Sequence, residues 1–533
     1  MRRLIARARR DEQGIAMASA LMVVLVLTIV VSALVTVAAT QAVQSRRGVA
    51  TTENRNTAEA VLDYLFNKAV TDPQFFNASH YSSLPGYAAS PASAAVKIDP
   101  NTGAISTCGA DTTRTPCYRF SVDFDDSAGS AVLTVTTRSG CGSGLSATRA
   151  CAANRVQQRL RRRQFFDYLY FSNTELLDPN IYPDPASTAP GGGAWAANPS
   201  NCPTYDTSPP RSVYCQQAAY FGRPTSSPAN DVIDGPVHTN DYHVFYCGKP
   251  TFLANVEARD PASNAQVRDI NAGISGSSQW FSPGCNGTPT FGSGAAQVPS
   301  TALNLPSSTT PYLSIAPAAY QYPGDVIITL LSNGLMNVVC PGGCAGKAVG
   351  ANVPQPDSGV ISSQGQVTIS GVLKGRLSVF AQSDIFIPDN LTYSVPANND
   401  ASTDALGLAA GGSVKIVPHT DASGTIDQDR TVEAAMLAVT HSVYVQGWDR
   451  VPAGASAHTL TIRGAIAGNY RGAYGAYNGT SGQVVWGYGK NFSFDRRLNR
   501  YQPPYFLTPV NSGWARVDLV ETGCPRTDWQ CNS

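Results

Sequence analysis

The sequence has few charged side chains and no excess of either sign. Charged residues make up 14% of the chain, and 38 basic against 37 acidic side chains leave a net charge of +1. Nucleic-acid-binding domains usually carry a clear basic excess, so nucleic acid is disfavoured as a partner. An apolar fraction of 43% and 23 tyrosines supply a sizeable core, which excludes a wholly disordered chain of 533 residues. At this length we expect more than one domain.

The common sequence motifs of enzymes are also missing. The chain has no Gly-x-Ser-x-Gly elbow, no Gly-x-x-x-x-Gly-Lys-Ser/Thr phosphate loop and no His-Glu-x-x-His helix. It has only six histidines and no Cys-x-x-Cys pair, which disfavours zinc. We therefore expect no catalytic residues, no cofactor and no metal, and interpret the chain as not an enzyme.

The nearest approach to a site is the segment VHTNDYH at residues 237–243. If this segment is a strand, Asp241 and His243 share a face and His238 does not, which favours turn-and-strand structure over a metal site. A second group of carboxylates lacks the spacing and central glycine of a calcium loop, and a hairpin turn is the better interpretation: Asp123, Asp125 and Asp126.

One long apolar run lies near the N-terminus. From Ile15 to Thr40 no charged residue occurs, and a helix of this length, at ~1.5 Å per residue, would cross a ~30 Å hydrocarbon core. The arginines before it predict a cytoplasmic N-terminus and an extracytoplasmic bulk, hence a single-pass membrane protein. A cleaved signal peptide is the weaker alternative, because its apolar region is normally ~7–15 residues. An ordinary signal anchor is the stronger alternative.

The order of features around this run is a basic leader, then DEQG at residues 11–14, then an apolar helix from Ile15. It resembles the N-terminus of type IV pilins and type II secretion pseudopilins, in particular the PilX N-terminal class of pilus assembly proteins, over about residues 10–70. The resemblance implies that a prepilin peptidase cuts between Gly14 and Ile15. It also implies other pilin or pseudopilin subunits, an inner-membrane assembly platform and membrane lipid as partners.

One position departs from the family pattern. Most shaft pilins have a glutamate five residues into the mature chain, where this chain has Ser19. In these families the missing acid is tolerated in tip or minor subunits, which this chain therefore resembles more than a shaft pilin.

The helix is predicted to continue beyond the apolar run. Apolar residues recur there at helical spacing on one face: Ala58, Val61, Leu62, Leu65 and Phe66. Pilins cover such a stripe with a small sheet, and the alternating segments between Lys97 and Pro179 supply strands for one. The arginines of residues 155–163 favour a charged strand edge over a polyanion site. The aromatic segment FFDYLYF, at residues 165–171, is placed in the same region.

The second half of the chain repeats itself. The first apolar residue of a short strand recurs at steps of 18, 29 and 29 residues: Val367, Ile385, Val414 and Val443. Such units suit stacked coils of a β-solenoid, similar to a right-handed parallel β-helix. An antiparallel β-sandwich with coincidental similarity is the alternative. Asn333-Gly334 predicts a hairpin between two apolar runs, and VHT at residues 237–239 is a candidate earlier turn of the solenoid.

The predicted fold is mainly β with one long N-terminal transmembrane helix, followed by a pilin-like small sheet and the solenoid. The segments are a cytoplasmic basic leader (1–14), a transmembrane helix (15–40), its extension (41–70), a pilin-like α+β region (71–180), a Pro/Gly/Ser-rich linker (181–230), a β-solenoid-like domain (231–472, with an insertion at about 255–355) and a C-terminal cap (473–533).

Twelve cysteines all lie beyond the apolar run. An even number there indicates disulfides formed in an oxidising compartment, with a connectivity that the sequence does not fix. Pairing between neighbours is the simplest arrangement: Cys108–Cys117, Cys141–Cys151, Cys202–Cys215, Cys247–Cys285, Cys340–Cys344 and Cys524–Cys531.

Together these features predict a membrane-anchored minor pilin-like or pseudopilin-like surface protein. It would be a tip or assembly-priming subunit of a type IV pilus or type II secretion-like filament, with an adhesive or structural ectodomain whose ligand the sequence does not identify. The alternatives are a plain anchored surface adhesin and a β-helix carbohydrate-active enzyme. The enzyme would need carboxylates clustered on one solenoid face, where the repeats place Ser, Thr, Gln and Gly.

Overall fold

The computed structural model of the chain forms two compact units. Unit 1 comprises Met1–Phe124, Ser130–Arg161 and Trp514–Ser533, and unit 2 comprises Asp125–Gly129 and Arg162–Gly513. The residues that the structure describes are 2–72, 75–87, 95–98, 104–108, 116–125, 129–139, 152–178, 181, 220–221, 231–259, 267–269, 288–454, 457–477, 483–510 and 512–523.

The described helices are few and, after the first, short. They are α1 (Arg2–Thr71), α2 (Ala78–Tyr81) and α3 (Thr310–Leu313), with 3-10 turns at Phe165–Asp167, Ala318–Tyr320 and Arg496–Asn499.

The described strands are numbered in chain order. They are β1 (Val96–Ile98), β2 (Ile105–Thr107), β3 (Cys117–Asp125), β4 (Ser130–Ser139), β5 (Ala152–Arg162), β6 (Tyr170–Ser172), β7 (Tyr220–Phe221), β8 (Val232–Ile233), β9 (Val237–Thr239), β10 (Val244–Cys247), β11 (Thr251–Phe252), β12 (Val256–Ala258), β13 (Val267–Asp269), β14 (Thr290–Phe291), β15 (Gln297–Pro299), β16 (Gln321–Tyr322), β17 (Val326–Leu330), β18 (Leu335–Val339), β19 (Gly350–Pro354), β20 (Val360–Ser363), β21 (Val367–Leu373), β22 (Arg376–Ala381), β23 (Ile385–Ile387), β24 (Leu391–Tyr393), β25 (Ala405–Ala410), β26 (Val414–Ile416), β27 (Arg430–Ala438), β28 (Val443–Val445), β29 (Thr459–Gly468), β30 (Gly475–Tyr477), β31 (Val484–Gly487), β32 (Gly489–Phe494) and β33 (Trp514–Gly523).

Unit 1 packs the C-terminal part of α1 on a six-stranded sheet with the order β2-β1-β3-β4-β5-β33. The predicted apolar stripe of α1 is buried except at Phe66, which is half-buried. It shares one core with the inward residues of β4, whose side chains alternate buried and half-buried, as Leu133 and Val135 do. The basic strand β5 lies inside the sheet, so the prediction of a charged strand edge is wrong. Nothing local to β5 indicates that β33, far along the chain, joins the sheet beside it.

The predicted transmembrane helix (15–40) is wrong, and so is the single-pass membrane localisation. Among the described residues, no helix is both long and apolar enough to cross a membrane. Within the apolar part of α1, the hydroxyls of Thr28 and Thr36 donate to backbone carbonyls four residues earlier at 2.7 Å.

Unit 2 is a stack of parallel strands, and the predicted repeat runs through it in register. Val367 pairs with Ile385, Ile385 with Val414, and Val414 with Val443. Their side chains are buried in one continuous core. These pairings are parallel, unlike those of the antiparallel sandwich that was the alternative.

The order of strands in the stack differs from their order in the chain. One run of strands pairs in parallel as β16-β20-β22-β25-β27-β29, and another as β6-β9-β12-β15. The runs join where β29, late in the chain, pairs in parallel with the much earlier β6. We call this pairing the seam. Residues 300–320 form the crossover segment, which connects β15, the last strand of the β6 run, to β16, the first strand of the β16 run.

This arrangement changes several predicted boundaries. Tyr170–Ser172 belongs to the solenoid and not to the pilin-like region (71–180), because β6 pairs with solenoid strands on both sides. The predicted insertion (255–355) contains solenoid strands β12, β15, β16 and β17. Of the predicted linker (181–230), only Ile181 and Tyr220–Phe221 are described.

The predicted C-terminal cap (473–533) also has a different role. Its strand β33 is part of the sheet of unit 1, and β32 pairs in parallel with β29 inside the stack. Residues further on cover the outer side of the solenoid sheet, where Phe506 packs against Phe166 at a ring distance of 5.6 Å. The crossover segment covers the same side, with Tyr312 stacked on Phe380 at 5.8 Å. The outer face of these strands is therefore buried as well as the inner face.

The predicted hairpin is present just after β16. Strands β17 and β18 pair antiparallel from Ile327–Val339 to Leu330–Met336. Gly334 takes a φ of +90° in the turn, a conformation that glycine adopts without steric cost. Cys340 and Cys344, just after β18, form a disulfide with a Cα–Cα distance of 5.8 Å.

Candidate functional site

A cluster of polar side chains is buried beside the seam. Phe171, His238 and Glu257 occupy equivalent positions of β6, β9 and β12 and point toward the covered outer face. His238 is fully buried, and its ring is nearly parallel to that of Phe171 at 5.4 Å. Its Nδ1 lies 3.0 Å from a carboxylate oxygen of Glu257, and its Nε2 lies 3.1 Å from the side-chain oxygen of Asn240.

The hydrogen bonds of Asn240 establish that its side-chain oxygen faces His238 as an acceptor. The Asn240 amide donates to the carbonyl of Leu303 at 2.8 Å, and the Leu303 N–H donates back to the Asn240 oxygen at 2.7 Å. This oxygen is therefore an acceptor toward Nε2 of His238. Nδ1 faces the Glu257 carboxylate, so both ring nitrogens of His238 lie against oxygen atoms, and His238 and Glu257 form a buried hydrogen-bonded pair.

Glu257 is held in its charged form. Burial raises the pKa of the Glu257 carboxyl, but the hydrogen bond and charge of His238, the charge of Arg163 and the hydroxyl of Tyr168 outweigh it and leave that pKa below its ordinary value. The Tyr168 hydroxyl donates to the same carboxylate at 3.1 Å. Burial, followed by the nearby charge of Glu257, raises the pKa of Tyr168, so the hydroxyl keeps its proton.

Ser300 gives the cluster the residue types of a serine-hydrolase triad without the geometry of one. Its Oγ lies 3.3 Å from Nδ1 of His238, on the same ring nitrogen that contacts Glu257. In a triad the acid and the nucleophile lie on opposite nitrogens, so that one orients the ring while the other loses its proton. Here the opposite nitrogen is occupied by Asn240. The arrangement suits a structural hydrogen-bonded pair.

The structure does not bring the three residues of the predicted motif together. Asp241 is buried and accepts from the backbone N–H of Glu175 at 3.0 Å and of Tyr242 at 2.9 Å. His243 is half-buried beside Phe245. Among the residues that the structure describes, no group of three or more His, Cys, Asp and Glu side chains is placed to hold a metal ion.

A row of asparagines crosses the seam, and sequence reasoning missed it. The Asn240 amide donates to the Asn173 oxygen at 3.0 Å, and the Asn173 amide donates to the Asn469 oxygen at 2.8 Å. Asn469 in turn donates to the backbone carbonyl of Thr440 at 3.1 Å. These residues occupy the corners of successive coils. Each asparagine follows a strand that ends in a small or hydroxyl residue. This pattern identifies the row only when the order of the coils is known.

The carboxylates on another side of the solenoid are engaged by neighbouring groups. Asp384 accepts from Lys415 at 2.7 Å and from the backbone of Ser413 at 2.7 Å. Asp178 is buried, and it accepts from Ser442 at 2.9 Å and contacts His441 at 3.2 Å. The hydrogen bond to Asp178, which outweighs partial burial, raises the pKa of His441.

The N-terminal part of α1 presents an apolar surface. From residue 22 to residue 37 its large hydrophobic side chains are exposed, from 47% at Val30 to 71% at Met22. The predicted cleavage residues Gly14 and Ile15, and Ser19, lie within α1, but their side chains are outside the described part of the structure.

Two of the predicted cysteine pairs lie in described segments. Cys108 and Cys117 are bonded with a Cα–Cα distance of 6.3 Å, and Cys340 and Cys344 are bonded as given above. Both agree with pairing between neighbours. For Cys247 the backbone is described but the side chain is not. The other cysteines lie outside the described residues: Cys141, Cys151, Cys202, Cys215, Cys285, Cys524 and Cys531.

A scan against protein-family models finds no match, and neither does a search of curated proteins. Among solved structures, the chain has a weak similarity to the competence-associated pilin ComZ from Thermus thermophilus. The two are 12% identical, with a TM-score of 0.28 over 80% of this chain and 86% of that chain. A TM-score this low does not establish a shared fold.

Proposed function

We propose that the chain is a pilin-like filament subunit that carries a passive β-solenoid head. In this proposal the apolar segment of α1, residues 22–37, packs against the same segment of neighbouring subunits. A prepilin peptidase exposes this helix by cutting between Gly14 and Ile15. The solenoid has no catalytic role, and its buried His238–Glu257 pair holds the outer cover on the stack.

The observation that carries the proposal is the division of α1 into two parts with opposite surroundings. Ala58 and Leu65 are fully buried in the core of unit 1, whereas every large hydrophobic side chain from residue 22 to residue 31 is at least 47% exposed. A contiguous apolar surface of this kind marks an association surface. Helices laid side by side would bury it by interdigitating their side chains.

Two features support a tip or minor position over a shaft position. Ser19 stands where the family pattern of shaft pilins has a glutamate. The main part of unit 2 extends from Arg162 to Gly513. Subunits that pack closely in a shaft would have little room for a head of this size on every copy.

Charged substitutions in the apolar segment test the proposal. We expect Leu27→Asp with Leu34→Asp to abolish self-association of the full-length protein, because each carboxylate would have to be buried without a partner. Leu27 is 55% and Leu34 is 63% exposed, so the protomer itself should fold normally. Analytical ultracentrifugation measures the effect. Val70→Asp, at a site 51% exposed near the other end of α1, is the matched control and should associate like the wild type. Equal association of the double variant and the wild type would contradict the proposal.

A further inference from the structure

A pocket lies where the crossover segment passes the seam. It has a volume of about 330 Å³, within the range of small-molecule sites. Its lining residues come from the crossover segment and from the coil corners opposite: Asn304, Leu305, Pro306, Ser307, Asn173, Val439, Thr440 and Asn469. We call it the seam pocket.

The polar groups of the seam pocket are held in place by the asparagine row. Asn469 accepts from Asn173 and uses one amide hydrogen on the Thr440 carbonyl, which leaves its second hydrogen for a ligand. The Thr440 hydroxyl donates to the carbonyl of Gly411 at 2.7 Å, so that toward a ligand its oxygen is an acceptor. Ser307 is exposed and can do both. The pocket thus offers a fixed donor beside a fixed acceptor.

The lining residues also decide which ligands are disfavoured. None of the eight lining side chains is charged, so an ionic group would lose hydration without gaining a countercharge. The apolar part, formed by Leu305, Pro306 and Val439, suits the C–H face of a ring. Neighbouring sugar hydroxyls each donate and accept, which matches the alternating groups of Asn469 and Thr440.

We propose that the seam pocket binds a neutral sugar unit, one pyranose ring of an uncharged glycan. Asn469 and Thr440 bind adjacent hydroxyls of the ring, Ser307 binds a third group at the rim, and Leu305 and Pro306 contact the ring carbons. The site depends on the solenoid seam alone. It therefore stands whether or not α1 assembles into a filament, and the two proposals fail independently.

Saturation-transfer NMR on the full-length protein tests this assignment. The probes are the methyl glycosides of glucose, galactose and mannose, N-acetylglucosamine, and the acidic sugars glucuronic and galacturonic acid. We expect at least one neutral probe to bind with a dissociation constant on the order of millimolar, and the acidic probes to bind about tenfold more weakly or worse.

Two substitutions of the exposed Ser307 localise the site. Ser307→Trp fills the pocket and should reduce the binding of the neutral probe by at least about tenfold, whereas Ser307→Ala removes one hydroxyl and should weaken it by about two- to tenfold. Ala401→Trp places the same side chain on an exposed loop elsewhere in unit 2 and should leave binding unchanged. The assignment is overturned if no neutral probe binds, if Ser307→Trp binds as well as the wild type, or if the acidic probes bind as tightly as the neutral ones.

Discussion

Replacing Arg497 by alanine should destabilise unit 2 by about 3–5 kcal/mol, the usual cost of removing one partner of a buried ion pair. The Arg497 side chain is 7% exposed, and its Nη2 donates to Asp495 at 2.7 Å. Its other nitrogens donate to backbone carbonyls, including those of Ala397 at 3.0 Å and Ser402 at 2.9 Å. The guanidinium therefore ties the loop before β25 to the segment after β32.

The stability that Arg497→Ala loses should depend on pH. Burial raises the pKa of Asp495, and Arg497 lowers it only part of the way back. Without Arg497 the buried carboxylate loses its partner, and its pKa in the folded state rises further above the unfolded value. A raised folded pKa of an acid means that stability falls as pH rises through it. The variant should therefore lose less stability at pH 4, where Asp495 can protonate, than at pH 7.

Denaturant unfolding, followed by tryptophan fluorescence, measures both effects. Arg496→Ala is the matched control, because the neighbouring arginine is 80% exposed in its ion pair with Asp234. The denaturant concentration at the unfolding midpoint should be nearly the same for Arg496→Ala as for the wild type. Equal midpoints for the Arg497 and Arg496 variants would show that the buried guanidinium has no structural role.

Replacing Glu257 by glutamine should cost about 1.5–3 kcal/mol at pH 7, the usual range for a hydrogen bond to a charged group. Glu257 is the carboxylate partner of fully buried His238. The loss should be smaller than for Arg497→Ala, because glutamine keeps a hydrogen-bonding side chain beside His238, whereas alanine leaves the Asp495 carboxylate and two backbone carbonyls without their donor. A double-mutant cycle with His238→Gln separates the pair energy from the separate effects of the two substitutions.

The pH dependence of this second effect has the opposite sign. The pKa of Glu257 in the folded protein is lowered below the ordinary 4.5. A lowered folded pKa gives stability that is fully present above the unfolded value and is lost as pH falls through the folded one. The stability difference between wild type and Glu257→Gln should therefore shrink as pH falls below 4.5. Asp400→Asn, at an exposed site of unit 2, is the control and should show no such difference. A difference that grows toward acid pH would contradict a charged Glu257 that stabilises the fold.

The sequence was most informative where a structural unit repeats locally. The apolar residues Val367, Ile385, Val414 and Val443 mark equivalent positions of successive coils, because each coil must bury its inward side chains against the next. The helical stripe around Leu62 was readable for the same reason, since one face of a helix repeats every 3.6 residues.

The order of the coils could not be predicted in this way. The pairing of Ser172 with Gly468 joins segments almost 300 residues apart, and nothing local encodes it. For the same reason the His238–Glu257 pair was missed: the two residues become neighbours only when β9 and β12 are known to stack. The alternation of faces along one strand does not identify the partners of His238, because they lie on other strands and on the crossover segment.

N-terminal sequencing of the protein isolated from its own cells, with and without the prepilin peptidase, tests most directly our proposal that α1 is the assembly helix of a pilin-like subunit. We expect a chain that begins at Ile15 when the peptidase is present and at Met1 or Arg2 when it is absent. An N-terminus that is the same in both, with residues 1–14 still attached, would contradict it.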